Sequence, residues 1–269
     1  MDKITFVLAG EGVSVESESR ELLGAISALW APAVSALTCP SKHAIRVDAN
    51  DRVWVNGVVK EYPDKPPEAL AQVQWYLVFE TLVTRSAHVQ LHAACVEIAG
   101  WRILFSGTSG VGKSTLTKEA ILAGAKYLSD DCVVLQDGQA LGMGRTIHFD
   151  PLAVPCERAF YLEDCDLETF RFTTRSGPYV MPLWHNGYVA EAALTISERP
   201  WAVVELERGS QDQVVPLSHV ERLRILHEAI ILSGREYAGE LGFGPTFRLT
   251  WNDPKRAFEL LQKELRLLA

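Results

Sequence analysis

The chain has 269 residues, 48% hydrophobic and 22% charged, with a formal net charge of −8. These values fit one large or two modest globular domains with a sizeable core, and the acidic balance argues against a dedicated nucleic-acid binder, which carries a basic face. No apolar run reaches the about 18 residues of a membrane span, MDKITFVLAG turns polar too soon for a signal peptide, and Cys39, Cys95, Cys132, Cys156 and Cys165, with no C-x-x-C among them, read as scattered reduced thiols of a cytoplasmic protein.

In chain order, Lys3 to Leu8 and Gly12 to Glu16 read as strands around a Gly10-Glu11-Gly12 turn, and Arg20 to Trp30 has helical spacing. Ala44 to Val47 and Arg52 to Val55 form a hairpin pattern, and Asn56-Gly57 signals a second tight turn before Val58. A small antiparallel sheet with one helix accounts for these residues, so residues 1–66 are expected to be a small α+β domain. The tract Tyr62-Pro63-Asp64-Lys65-Pro66-Pro67 is a break, after which 68–86 read as a long helix, apolar nearly all round and so buried. It is grouped with the second domain, 67–269.

That domain opens with one expected strand, Val89 to Ile98, turned by Ala99-Gly100 into another, Trp101 to Ser106. Gly107-Thr108-Ser109-Gly110-Val111-Gly112-Lys113-Ser114-Thr115 follows, a full G-x-x-x-x-G-K-[ST]. Ser114 to Ala123 reads as a helix closed by Gly124. Strand, glycine loop and helix form an anion cradle: backbone N–H groups and the helix N-terminus face phosphate, Lys113 reaches the β- and γ-phosphates, and Ser114 ligates Mg²⁺. Further on, Ala125 to Leu128, Cys132 to Leu135, Thr146 to Phe149, Trp201 to Glu205 and Val214-Val215 are expected strands. Ser218 and Glu221 form a capping box for a helix to Ser233, and Asp253-Pro254 starts the last helix.

The doublet Asp130-Asp131 is the second chemical signal. Phosphoryl transfer needs a carboxylate on Mg²⁺ and a group that takes the proton of the nucleophile. Two aspartates soon after the loop helix, beside an apolar strand, serve both needs; the plain alternative is a solvated turn. His92, on the strand beside the loop, is a candidate active-site group or an ordinary core histidine. Arg145, Arg158, Arg171 and Arg175 each read singly as surface residues; one of them could stabilise charge on the transferring phosphoryl group, and Arg145 is slightly favoured by its glycine-rich turn. Ser176 to Tyr179 and Trp184 to Tyr188 read as a substrate-binding or plain surface loop. No histidine has metal-ligand spacing to another ligand.

The order Leu91-His92-Ala93-Ala94, Ile103-Leu104-Phe105-Ser106, the phosphate loop, and Leu128-Ser129-Asp130-Asp131-Cys132-Val133-Val134-Leu135 resembles the HPr serine kinase-like family, strongest over about 45 residues. Val203-Val204-Glu205-Leu206-Glu207 and Val215-Pro216-Leu217-Ser218 look like its divergent members in biosynthetic gene clusters. The resemblance implies an α/β fold with a PEP-carboxykinase-like P-loop kinase domain and a mixed, β-rich sheet. It implies ATP- and Mg²⁺-dependent phosphorylation of a serine on a protein or peptide, with Asp130 as base, Asp131 on the metal and His92 as the family histidine. Thr108 stands where HPr kinases carry an acidic residue, and their glycine-rich signature segment is not found after the doublet. Relatives of this reduced kind, found in lasso-peptide gene clusters, look like kinases of the precursor peptide, so the resemblance implies a lasso-type precursor peptide rather than HPr as the substrate. The alternative is a nucleotide-dependent regulatory module with slow ATPase activity. The first domain is read as a cap, an oligomer contact or a peptide-recognition element.

Overall fold

The computed structural model describes residues 1–8, 11–30, 41–50, 52–60, 73, 89–130, 132–136, 138–142, 147–148, 167–174, 177–184, 200–233 and 244–268. The chain divides into two compact units: Met1–Thr84 with Gly144–Gly187, and Arg85–Met143 with Tyr188–Ala269.

In the first unit, β1 (Asp2–Leu8), β2 (Glu11–Ser17), β3 (Ser41–Val47), β4 (Val53–Val55) and β5 (Val58–Lys60) form one sheet in that order. The sheet is not wholly antiparallel as expected, because β2 and β3 pair in parallel. The cause is α1 (Arg20–Leu29), which lies between them and carries the chain back to the end where β2 began. Phe6, Val13, Val15, Leu23, Ile26 and Trp30 are buried, so alternate strand residues and one helix face share a core. Asn56 and Gly57 have φ of 50° and 82°, the positive pair that a tight hairpin turn needs.

The segment Gly144–Gly187 clusters with this unit, which a single boundary after residue 66 does not describe. Its strands β12 (Ile147–His148), β13 (Leu167–Thr174) and β14 (Gly177–Trp184) form their own sheet, and β13 lies beside α1. Residues 177–179, expected in a loop, are strand, because Gly177, Pro178 and Tyr179 pair with Thr174, Thr173 and Phe172. The helix expected over 68–86 lies outside the described residues except for Val73, which is helical and buried.

The second unit is built on two sheets. Four strands, β6 (Val89–Leu91), β10 (Val133–Gln136), β11 (Gln139–Gly142) and β17 (Ile230–Ser233), run in the order β11-β10-β6-β17. Six more are β7 (Ala93–Ile98), β8 (Trp101–Ser106), β9 (Lys126–Ser129), β15 (Trp201–Arg208), β16 (Gln213–Pro216) and β18 (Thr246–Trp251). Their order is β16-β18-β15-β8-β7-β9, with β15 paired in parallel to β8 and to β18 and the other neighbouring pairs antiparallel, so that β9 runs in the same direction as β8. One face packs on α2 (Lys113–Leu122) and α4 (Pro254–Arg266) through Phe105, Leu116, Val204, Trp251 and Phe258. The other packs on the four-stranded sheet and α3 (His219–Ala229) through Leu91, Leu104, Val133, Val203 and Ile225. Two covered faces explain the near-continuous apolar runs ILF and AVV.

Two expected elements change here. The strand Val89 to Ile98 breaks at His92 and serves two sheets, β6 pairing with β10 and β7 with β8. The helix from Ser218 stops at Ala229, because Ile230 to Ser233 turn into β17 and pair with β6. Its capping box is formed: Ser218 Oγ accepts from Glu221 N at 3.3 Å, and Ser218 N donates to Glu221 Oε2 at 2.9 Å. Asp253 accepts from Arg256 N at 3.0 Å, with Pro254 following, as expected for the last helix.

Candidate functional site

Sheet register collects the chemistry at one edge. Ser106 ends β8 opposite Ala93, the first residue of β7, so His92 and Gly107 leave the sheet side by side. Ser129 ends β9 opposite Cys95, and Asp130 follows it toward the same edge. Glu205 is level with Ser106, and β15 runs three residues further to Arg208, level with Trp251 at the end of β18. The carboxyl ends of parallel strands are where ligand crevices form in open α/β sheets.

The loop between β8 and α2 is shaped by its glycines at two positions above all. Gly112, the residue that caps α2, has φ of 108°, and a Cβ there would lie 2.1 Å from Cζ2 of Trp251. Gly107 has φ of 150°, and its Cβ would lie 2.9 Å from Val111 Cγ1. Only a residue without a side chain fits either place. Val111 N donates to Thr108 O at 3.3 Å, closing the turn between them. Lys113, only 6% exposed, donates from Nζ to Gly107 O at 3.0 Å and Thr108 O at 3.4 Å. Its ammonium is thus folded back over the loop that precedes it. Gly124, with φ of 91°, terminates α2 by donating to Ile121 O at 2.9 Å.

Asp130 is 1% exposed and faces the loop. Ser114 Oγ donates to its carboxylate, 3.0 Å from Oδ2 and 3.2 Å from Oδ1. The turn that holds it is tied by Cys132 N to Asp130 O at 2.9 Å and by the Ser129 hydroxyl to the Cys132 carbonyl. The loop serine and the first aspartate of the doublet, 16 positions apart, therefore meet directly. His92 is half-buried at the bend between β6 and β7, its backbone N donating to Ala229 O at 2.7 Å. Asp131 and Arg145 lie outside the described residues, as do Arg158 and Arg175, while Arg171 is on β13 in the first unit.

Two residues at this edge were not singled out in the sequence. Trp251, 1% exposed, packs its indole against Gly112, and Arg208 stacks its guanidinium 3.3 Å from the centre of that ring. Residues 112, 208 and 251 have no local pattern in common; parallel pairing of β15 with β18 brings them together. The alternation of VVELER gave the available hint, since it sets Arg208 on the same sheet face as Val204 and Leu206.

The residues fit a magnesium-bound polyphosphate. A buried lysine on a glycine loop supplies the cation, and a serine hydroxyl already shared with a buried carboxylate supplies hard oxygen ligands. No cluster of three or more protein ligands for a metal occurs among the described residues. No helix among the described residues is long and apolar enough to cross a membrane.

The class defined by fold and edge is a strand-rich, mixed α/β protein with a glycine loop joining a central strand to a helix. No family model matches the chain. It is 37% identical over 67 residues to the HPr kinase/phosphorylase of Clostridium beijerinckii, a match covering 24% of this chain and 22% of that protein. The chain thus spans about a fifth of the length of the curated relative it matches. Among solved structures it is similar to the Hpr(Ser) kinase/phosphatase from Coxiella burnetii, at 16% identity and a TM-score of 0.32, covering 66% of this chain and 96% of that one. The resemblance to HPr kinase-like proteins, first visible in the motifs, is therefore met again in the curated relative.

Proposed function

We propose that the protein is an ATP- and Mg²⁺-dependent serine kinase acting on a protein or peptide, with a lasso-type precursor peptide as the substrate class. In this reading the second unit holds the PEP-carboxykinase-like kinase domain and residues 1–66 the small domain that precedes it, and the protein works in the cytoplasm, where ATP is made. The observation that carries it is the contact of Ser114 with the buried Asp130 beside Lys113. The resemblance to HPr kinase/phosphorylase supports it.

Bound magnesium would neutralise charge on the β- and γ-phosphates. The chain's own residues do the rest. The loop amides and Lys113 orient the phosphates, the ammonium exchanging the Gly107 and Thr108 carbonyls for phosphate oxygens. Ser114 offers its hydroxyl to the metal. Asp130 accepts the proton of the substrate serine, and Asp131 is assigned to the metal. His92, beside Gly107, and Arg145 are the further candidate groups. The Ser114 contact also favours a second assignment, in which Asp130 itself holds the metal, because a loop serine and an acidic residue commonly share that ion in phosphate-loop enzymes.

The experiment is transfer of labelled γ-phosphate to candidate peptides by wild type, Lys113→Ala and Asp130→Asn, alongside nucleotide binding with and without Mg²⁺. Lys113→Ala is expected to lose binding and transfer. Asp130→Asn is expected to lower transfer at least a hundredfold while keeping Mg²⁺-dependent binding. Loss of that Mg²⁺ dependence would move Asp130 to the metal. Release of free phosphate with no labelled peptide would favour the regulatory ATPase, and transfer at the native rate in Asp130→Asn would remove it from both roles.

A further inference from the structure

We infer that the Arg208–Trp251 stack is the platform for the base of the bound nucleotide. The inference rests on the nucleotide reading above and adds a residue pair that neither the loop motif nor the Asp doublet contains.

Strand order gives the direction. Taking β8 as the centre, Asp130 follows β9, two strands away through β7, while Arg208 and Trp251 end β15 and β18 on the opposite side. Ser114 bonds Asp130, which sets the metal-bearing end of a polyphosphate toward β9. The other end of the phosphate chain, where the nucleoside is attached, then runs toward β15 and β18. What it meets there is a planar cation lying flat on an indole.

Trp251 is fixed. Its ring fills the space beside Gly112, it is 1% exposed, and its Nε1 has no hydrogen-bond partner among the described residues, so packing alone sets its orientation. Arg208 is exposed, with its guanidinium 3.3 Å from the ring centre. A guanidinium stacked this closely turns one face to the indole, and Arg208 as a whole remains exposed. Arginine planes stack on nucleobases in the same manner as aromatic rings. The site is thus suited to a purine, and it reads the π-face rather than a particular hydrogen-bonding edge, so ATP and GTP are expected to bind alike.

Calorimetric titration of the full chain with Mg-ATP and with magnesium tripolyphosphate tests this, using wild type, Arg208→Ala and Arg208→Lys. The expected result is an about tenfold weaker ATP affinity in Arg208→Ala, the size of one lost base stack, with tripolyphosphate affinity unchanged. Arg208→Lys is expected to behave like the alanine variant, because the charge remains but the plane is gone. Equal losses for both ligands would make Arg208 a phosphate contact and overturn the inference. No loss for either would reduce it to a cover on the indole and overturn it too. Failure of the wild type to bind either ligand would instead overturn the nucleotide reading itself.

Discussion

Gly112 shows how one missing side chain organises the loop. Its φ of 108° and the indole carbon 2.1 Å from where a Cβ would sit are two independent reasons for glycine. Gly112→Ala is expected to destabilise the protein by about 2–4 kcal/mol, the sum of a left-handed backbone and an overpacked contact. Urea unfolding measures it. Combining the change with Trp251→Ala should return the steric share and leave the backbone share; full recovery would mean that the backbone contributes nothing. The motif announced a glycine here, but not the reason. The strand, glycine loop and helix around Lys113 and Ser114 were legible because that arrangement is local in sequence. Arg208 and Trp251 were not, because strand pairing alone makes them neighbours.

Turns and caps were the legible elements, since each is set by a few adjacent residues: Asn56-Gly57, the Ser218 capping box, the Asp253-Pro254 start and the Gly124 stop. The break at His92 was illegible because both halves are apolar strand, and only the change of sheet divides them. The end of α3 at Ala229 was missed for a related reason: Ile230 to Ser233 suit helix or strand, and the waiting edge of β6 decides. Asp48, in the turn between β3 and β4, couples that turn to pH. Partial burial works against its charge, but N–H groups of Asn50 and Arg52, together with the side chains of Trp54 and Arg52, hold the carboxyl down from an ordinary 3.8 to about 2. A folded-state value below the unfolded one gives stability present above pH 4 and lost as the pH falls toward 2. Urea midpoints across that window are expected to fall in the wild type and to be flatter in Asp48→Asn. Parallel slopes would show that the turn is not coupled to the charge.

At the scale of the whole molecule, the loop, Asp130, His92 and the Arg208–Trp251 stack all belong to the second unit. A ligand that binds only the folded state stabilises the unit that contains its site. Mg-ATP at about a hundred times its Kd is expected to add roughly 2.7 kcal/mol, with hydrogen-exchange protection gathered on β8, α2 and β9. The same gain in Lys113→Ala would place the ligand elsewhere. The return of Gly144–Gly187 to the first unit was not legible, because a chain that leaves a domain and comes back leaves no mark in composition.

The ammonium of Lys113 is seated on the carbonyls of Gly107 and Thr108. The loop backbone is thereby pinned to its own cation through two carbonyl oxygens. On the proposed reading, a phosphate taking up that ammonium would exchange one set of oxygens for another, and little ordering entropy would oppose its capture.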